Sequence, residues 1–207
     1  MVHLLAALVA GAMLALPAPC LDGEPVVEPA TGVAFERIVG LAPRLELTGV
    51  AVRKRFWIEI FAIGMYVDRA ALAAHLAGRE LAGEELAEAV LAAPVRMAQR
   101  IVFARNIGAK RIREGLIEGV KRTLPAGDPR IVKDFSALLR QTRDARKGDE
   151  VMTLFEPDGT ILFYYNRFLV GFVRNATLAQ AMKAVYLGPN SLDRKIKKDL
   201  VELLGKK

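Results

Sequence analysis

Residues 49–68 read GVAVRKRFWIEIFAIGMYVD, and this stretch decides the fold. It holds the densest run of β-branched and aromatic residues in the chain, and both of its alternating sets of positions are apolar. A strand that is apolar on both faces lies in the middle of a sheet that other layers cover. One charge interrupts the pattern, because Arg53 stands between Val52 and Lys54-Arg55, a pair typical of a turn. The functional prediction depends on what Arg53 faces.

Outward from this stretch, the pattern predicts strands alternating with amphipathic helices. Strands are expected at residues 32–39, 45–52, 56–67, 94–105, 151–155, 160–165 and 168–173. Helices are expected at residues 69–77, 83–92, 109–124, 130–141, 176–186 and 192–204. Asn175 and Ser191 are the predicted N-caps of the last two helices. This order predicts the α+β class, with a long, mostly antiparallel sheet and helices set against it.

Composition limits the chemistry. The chain has 207 residues, of which 53% are hydrophobic, which suits one domain with a sizeable core. Cys20 is the single cysteine, so no intrachain disulfide is expected. The histidines are His3 and His75, which argues against a Cys/His metal site, a haem site or a His-dependent nucleophile. We therefore expect neither a metal nor a cofactor.

The N-terminus is typical of a secretory signal. Residues 4–16 are apolar and a small-residue zone follows them, so residues 1–20 are interpreted as a signal peptide. Lipidation at Cys20 is an alternative that Pro19 disfavours, and an uncleaved apolar anchor is another. Residues 21–30 are predicted to be a flexible lead-in, and residues 31–207 the domain. The expected location is periplasmic or secreted, with no integral membrane span after signal removal.

The net charge of +7 is uneven, with the basic excess between residues 94 and 147. Such a band suits nucleic acid, anionic lipid or simply a solvated helix face. No aromatic-interleaved basic stretch accompanies it, so a solvated face is favoured and no nucleic-acid partner is expected. The sequence leaves the oligomeric state and any protein partner open.

Three other candidate groups are Glu59, the pair Asp149 and Glu150, and His75. Glu59 lies in an apolar strand, where it is either a buried general acid with a raised pKa or, more commonly, a residue paired with an arginine or lying at a strand edge. Asp149 and Glu150 are adjacent in a strand and point to opposite faces, so they do not form an acid–base pair. His75 lies on a helix and is interpreted as solvated surface.

Several stretches together resemble the chalcone isomerase-like superfamily. They are LELTGVAVR at 45–53, FAIGMYV at 61–67, KGD at 147–149, the PDG turn at 157–159 and AQAMKAVYLG at 179–188. The resemblance covers residues 31–205 and depends on the order and spacing of the stretches. It implies an open-faced β-sandwich, in which a large antiparallel sheet carries a layer of helices on one face and a ligand cleft lies between them.

The resemblance also implies which residues matter. In the plant isomerases an arginine stabilises developing negative charge, while a threonine, a tyrosine, an asparagine and a Ser/Thr position the substrate. The arginine matches Arg53 and the threonine falls on Phe61. The tyrosine and the asparagine fall near Ala109 and Leu116, and the Ser/Thr falls on Ala179. Because the arginine alone is kept, we predict that the protein is not a chalcone isomerase.

The leading hypothesis is a secreted, non-enzymatic protein that binds a small apolar carboxylate such as a fatty acid. Arg53 would contact the carboxylate, and Phe56, Phe61 and Met65 would supply the apolar wall. One alternative is an isomerase, or intramolecular lyase, that acts on an unknown conjugated substrate. A second is a structural protein whose cleft is closed, and a third is attachment of the basic band to an anionic membrane.

Overall fold

The computed structural model describes residues 23–39, 44–124 and 128–205, so the predicted signal peptide lies outside the described residues. The strands are β1 (Val26–Val27), β2 (Ala34–Phe35), β3 (Ile38–Val39), β4 (Leu45–Arg55), β5 (Ile58–Val67), β6 (Met97–Phe103), β7 (Glu150–Phe155), β8 (Thr160–Tyr165) and β9 (Phe168–Arg174). The helices are α1 (Arg69–Leu76), α2 (Gly83–Ala92), α3 (Ala109–Thr123), α4 (Pro129–Leu138), α5 (Ala176–Leu187) and α6 (Arg194–Asp199). No described helix combines the length and the hydropathy that a membrane crossing requires.

The described strands form one large antiparallel sheet and one small one. β3 to β9 pair in chain order as a seven-stranded sheet, while β1 pairs with β2 alone. The helices enter between β5 and β6, between β6 and β7, and after β9, so they interrupt the chain without changing the order of the strands. The predicted α+β fold with a mostly antiparallel sheet is confirmed.

Each face of the sheet has its own core. Ile63, Met65 and Val67 of β5 pack in a cluster to which all six helices contribute, and this side is called the helix face. Ala62 and Tyr66 pack in a second cluster on the opposite face. β5 is therefore buried on both sides from residue 62 to residue 67, as its two-sided apolar pattern predicts.

The N-terminal segment covers the opposite face. Phe35 lies over Gly64, where a Cβ atom would come within 2.6 Å of the Phe35 ring. Arg100 fixes this contact, because its guanidinium lies 5.2 Å from the Phe35 ring centroid and forms ion pairs with Glu150 at 2.7 Å and Glu36 at 3.1 Å. β1 lies within the segment 21–30 that the sequence predicts to be a flexible lead-in.

The C-terminal segment packs on β4 at Gly49. A Cβ atom there would lie 2.0 Å from the Asp199 carbonyl oxygen, so this position accepts no side chain without displacing the segment. The prediction that Ser191 caps a helix reaching residue 204 is wrong: Asp193 caps α6, its side chain accepting from the Lys195 amide at 2.8 Å. A short 3₁₀ turn at residues 202–204 follows α6.

The hairpin between β4 and β5 differs from its prediction. Lys54 and Arg55 continue β4, and the turn is formed by Phe56 and Trp57. The reason is cross-strand pairing, because Lys54 lies opposite Glu59 and their side chains form an ion pair at 3.0 Å. The assignment of Phe56 to the apolar wall is therefore wrong, since its side chain is 81% exposed at the hairpin tip.

Candidate functional site

Arg53 lies on the helix face near the end of β4. It is the register partner of Phe61 on β5, and cross-strand partners project to the same face of a sheet. Phe61 packs against the helix-face core, so Arg53 projects toward the helices rather than away from them. The residue is half-buried, and its side chain makes no hydrogen bond or ion pair with any described residue.

Phe61 continues the row inward from Arg53. Its register partner on β6 is Phe103, whose side chain is buried. Arg53, Phe61 and Phe103 therefore form one row across β4, β5 and β6. Met65 lies four residues further along β5 on the same face and is fully buried. Phe61 and Met65 thus occupy the helix face on which the sequence hypothesis needs them, whereas Phe56 does not.

Tyr186 is a group that the sequence reasoning missed. It is buried near the end of α5, and burial raises its pKa while the Arg53 guanidinium partly opposes that shift. The two groups are therefore within electrostatic range of one another across the helix–sheet interface. Lys183, one turn earlier on α5, has a pKa lowered by burial and no partner among the described residues. The signal available in the sequence was a tyrosine and a lysine inside a mostly apolar helix.

The path of α5 places it across the sheet. Its first residue, Ala176, abuts the turn between β7 and β8, where a Cβ atom on Gly159 would lie 2.8 Å from the Ala176 backbone. Its other end carries Tyr186, which is within electrostatic range of Arg53 at the opposite end of the strands. On either side α5 is held by α2, through Gln180 Nε2 donating to Leu91 O at 3.2 Å, and by α3.

A polar residue is buried on the same face of the sheet. Gln99 lies on the helix face of β6, the central strand, between its register partners Met65 and Thr153. It is 4% exposed, and its amide nitrogen Nε2 has no hydrogen-bond partner among the described residues. Phe103 of β6 lies two strands from Arg53 at the same level, and Gln99 lies four residues from Phe103 along β6. Ordinary sheet spacing then puts the Cα atoms of Gln99 and Arg53 about 16 Å apart.

The other residues that match substrate-positioning residues of the plant isomerases have apolar side chains. Ala179 is buried in the helix-face core, and Leu116 packs against that core from α3. Ala109 lies in the first turn of α3, where its amide donates to Asp144 Oδ1 at 2.7 Å. None of these three side chains offers a group that would orient a reacting ketone.

The remaining sequence candidates lie elsewhere. The hydrogen bond from Lys54 lowers the pKa of Glu59, so the alternative of a buried general acid is wrong. Asp149 accepts from the Tyr165 hydroxyl at 2.6 Å, while Glu150 pairs with Arg100, in line with their predicted opposite directions. His75 is exposed on α1.

Much of the basic band is neutralised within the fold. Its members pair with carboxylates, as Arg96 with Glu156 at 2.7 Å and Arg122 with Glu118 at 3.1 Å. In the described residues, no group of three His, Cys, Asp or Glu side chains is arranged to hold a metal ion. Arg53 and Lys183, in contrast, are partly buried cations for which the described residues provide no anionic partner.

Comparison with known proteins agrees with this architecture. A fatty-acid binding protein of Arabidopsis thaliana has a crystal structure that superposes with a TM-score of 0.76, covering 86% of this chain and 96% of that chain at 20% sequence identity. At this identity the likeness shows the fold alone. A search of curated protein sequences gives no significant match. The family model described as chalcone isomerase-like matches residues 30–205. The chain therefore belongs to the chalcone isomerase-like family.

Proposed function

We propose that this protein binds a small apolar carboxylate, such as a fatty acid, between the helix face of β4–β6 and helix α5, without converting it. The observation that carries the proposal is the half-buried Arg53, which has no anionic partner among the described residues. A cation held partly out of water is unfavourable unless an anion compensates it. A ligand carboxylate supplies that anion.

The neighbours of Arg53 suit the same ligand. Because burial raises the pKa of Tyr186, its phenol remains protonated and is available to donate a hydrogen bond to a carboxylate. Burial lowers the pKa of Lys183 on the same helix, and a carboxylate beside it would favour its charged form. Charge-assisted hydrogen bonds of this kind contribute about 1.5–3 kcal/mol each.

The acyl chain would extend over the row that begins at Phe61. Apolar surface removed from water contributes about 0.8 kcal/mol per methylene, so affinity should rise about fourfold for each added carbon until the space is filled. The Arabidopsis thaliana protein of the same fold, which is named a fatty-acid binding protein, supports this ligand class.

A binding role is favoured over isomerisation because of what stands beside Arg53. By the resemblance in sequence, Phe61 and Ala179 fall at the positions at which the plant isomerases place hydroxyl groups for the substrate. Without those groups a bound ketone is neither oriented nor polarised, and each loss costs orders of magnitude in rate.

Isothermal titration of delipidated protein tests the proposal with two ligands of equal length, dodecanoic acid and dodecanol. We expect Arg53→Gln to weaken binding of the acid by about 10-fold to 100-fold and to leave binding of the alcohol unchanged. Arg174→Gln is the matched control, since it removes an equal charge from an exposed position paired with Asp158. Equal loss for both ligands, or no loss for the acid, would refute the role of Arg53.

We also propose that residues 1–20 direct export and are removed, which places the mature protein in the periplasm or outside the cell. The apolar run at residues 4–16 supports this. N-terminal sequencing of the protein recovered from the periplasm of a bacterial host is expected to begin near residue 21. Recovery of the intact chain with the membranes would favour the uncleaved anchor instead.

A further inference from the structure

The hairpin between β4 and β5 ends in two aromatic residues that the core does not use. Phe56 is 81% exposed and Trp57 is 82% exposed, and they form the two-residue turn between Arg55 and Ile58. Their ring centroids lie 6.0 Å apart with a tilt of 48°. Residues 54–57 are called the aromatic tip below.

Local stability does not explain the choice of phenylalanine in this turn. Phe56 has a φ of 57°, in the left-handed region that disfavours bulky side chains. Two-residue hairpin turns with a positive φ normally carry glycine, asparagine or aspartate. The turn between β8 and β9 follows that rule at its first position, where Asn166 has a φ of 47°, but its second position holds Arg167 with a φ of 72°. The aromatic tip therefore keeps a strained residue whose side chain gains nothing by burial within the protein.

Basic residues flank these rings. Arg55 is exposed and has no partner among the described residues, while Lys54 shares its charge with Glu59 on the neighbouring strand. Arg53, the proposed ligand-binding residue, follows directly behind them on β4. Two exposed rings with adjacent cations complement a surface whose outer layer is anionic and whose interior is apolar.

The size of the aromatic tip decides which partner fits. Large aromatic side chains cover about 150–250 Å² each, so the two together offer about 400 Å². A stable protein interface needs about 800 Å² on each partner. A narrow tip therefore falls short of a protein interface, whereas a lipid bilayer accepts whatever apolar area is inserted and adds attraction for neighbouring cations.

We infer that the aromatic tip docks this protein on an anionic lipid bilayer, with Phe56 and Trp57 inserted at the interface and Arg55 beside the headgroups. Docking in this orientation holds the end of β4 that carries Arg53 next to the membrane. If the proposed function holds, a fatty acid can then pass directly between the bilayer and the protein. Docking itself does not depend on the proposed function.

Trp57 is the single tryptophan of the chain, so its fluorescence reports on the aromatic tip without labelling. We expect vesicles of equal phosphatidylglycerol and phosphatidylcholine to shift the emission to shorter wavelength, and brominated lipid to quench it. Vesicles of phosphatidylcholine alone should give a much smaller effect. Arg55→Glu should abolish the preference for the anionic vesicles.

Phe56→Gly is the decisive variant, because it removes the ring and relieves the positive φ together. We expect vesicle affinity to fall about tenfold while the folded protein becomes no less stable. Phe172→Ser is the matched control, since it removes a phenylalanine that is 46% exposed on β9, away from the aromatic tip. Cosedimentation with vesicles measures affinity for both variants and for the wild-type protein.

The inference is overturned if the wild-type protein ignores anionic vesicles, if Phe56→Gly binds them as tightly, or if Phe172→Ser loses as much affinity. A concentration-dependent Trp57 shift without lipid would show instead that two copies meet at the aromatic tip. Titration of dodecanoic acid from cyclodextrin separates the two proposals. Ligand binding without vesicle binding rejects the docking alone, and the reverse result rejects the proposed function alone.

Discussion

Replacing Gln99 with leucine should stabilise the ligand-free protein. Gln99 is 4% exposed on the central strand, and its Nε2 has no partner among the described residues. A buried amide without a partner costs about 1–3 kcal/mol in desolvation, and leucine fills a similar volume without that penalty. We expect Gln99→Leu to raise the free energy of unfolding by about 1–2 kcal/mol, which corresponds to a melting temperature about 2–8 °C higher.

Urea unfolding of delipidated protein measures the change. Gln180→Leu is the matched control, because the Gln180 amide donates to the Leu91 carbonyl at 3.2 Å and its loss should bring no stabilisation. A control at Thr153, the register partner of Gln99 on β7, uses Thr153→Val to show whether the two polar groups act together.

A loss of about 1 kcal/mol or more in Gln99→Leu would refute the reasoning, because it would show that the amide is satisfied by a buried water that leucine cannot hold. A gain in stability would mean that the protein keeps an unfavourable polar group in its centre. Natural proteins keep such groups chiefly where they serve a site.

Three further predictions concern positions fixed by the tertiary structure. Gly49→Ala should lower the free energy of unfolding by about 3 kcal/mol in urea titrations, because its Cβ would displace the C-terminal backbone at Asp199; wild-type stability would contradict this packing. Thermal unfolding should give Lys197→Met a free energy of unfolding within about 1 kcal/mol of wild type, and Lys197→Ala one about 2 kcal/mol lower. The reason is that the buried methylene stem of Lys197 contributes more to stability than its ion pairs do. Equal losses in the two variants would show that the ion pairs contribute more. Hydrogen bonding from Tyr165 lowers the pKa of Asp149, so its stabilising contribution is present above its unfolded pKa near 3.8 and is lost as pH falls through its folded pKa. Asp149→Asn should therefore be less stable at neutral pH and show a shallower loss of stability in acid, and an unchanged acid limb would argue against this linkage.

Much of the fold follows from local patterns. The two-sided apolarity of residues 56–67 predicts a covered strand, and β5 is covered on both faces from residue 62 to residue 67, whereas residues 56–58 are exposed. The bounds of α2 agree with their prediction, and the side chain of Asn175 caps α5 by accepting from the Leu178 amide at 2.9 Å. These features depend on periodicity and on caps within a few residues, which a sequence displays directly.

Features that depend on distant partners were predicted less well. Lys197 stands in a basic run that is typical of a solvated helix face, yet it is buried and pairs with Glu88 of α2 at 2.8 Å. Its neighbours along α6 are also basic, so nothing local distinguishes it. The hairpin turn was misplaced because Phe56 and Trp57 have strong strand propensity, while cross-strand pairing of Lys54 with Glu59 sets the register.

By itself, the sequence determined the class of fold, the covered strand β5 and the choice of Arg53 as a candidate functional residue. Only the tertiary structure decided that Tyr186 lies within electrostatic range of Arg53 and that Gln99 is buried without a partner for its amide. The physical reason is that apolar periodicity records which side chains leave water, whereas the satisfaction of a polar group depends on atoms contributed by remote parts of the chain.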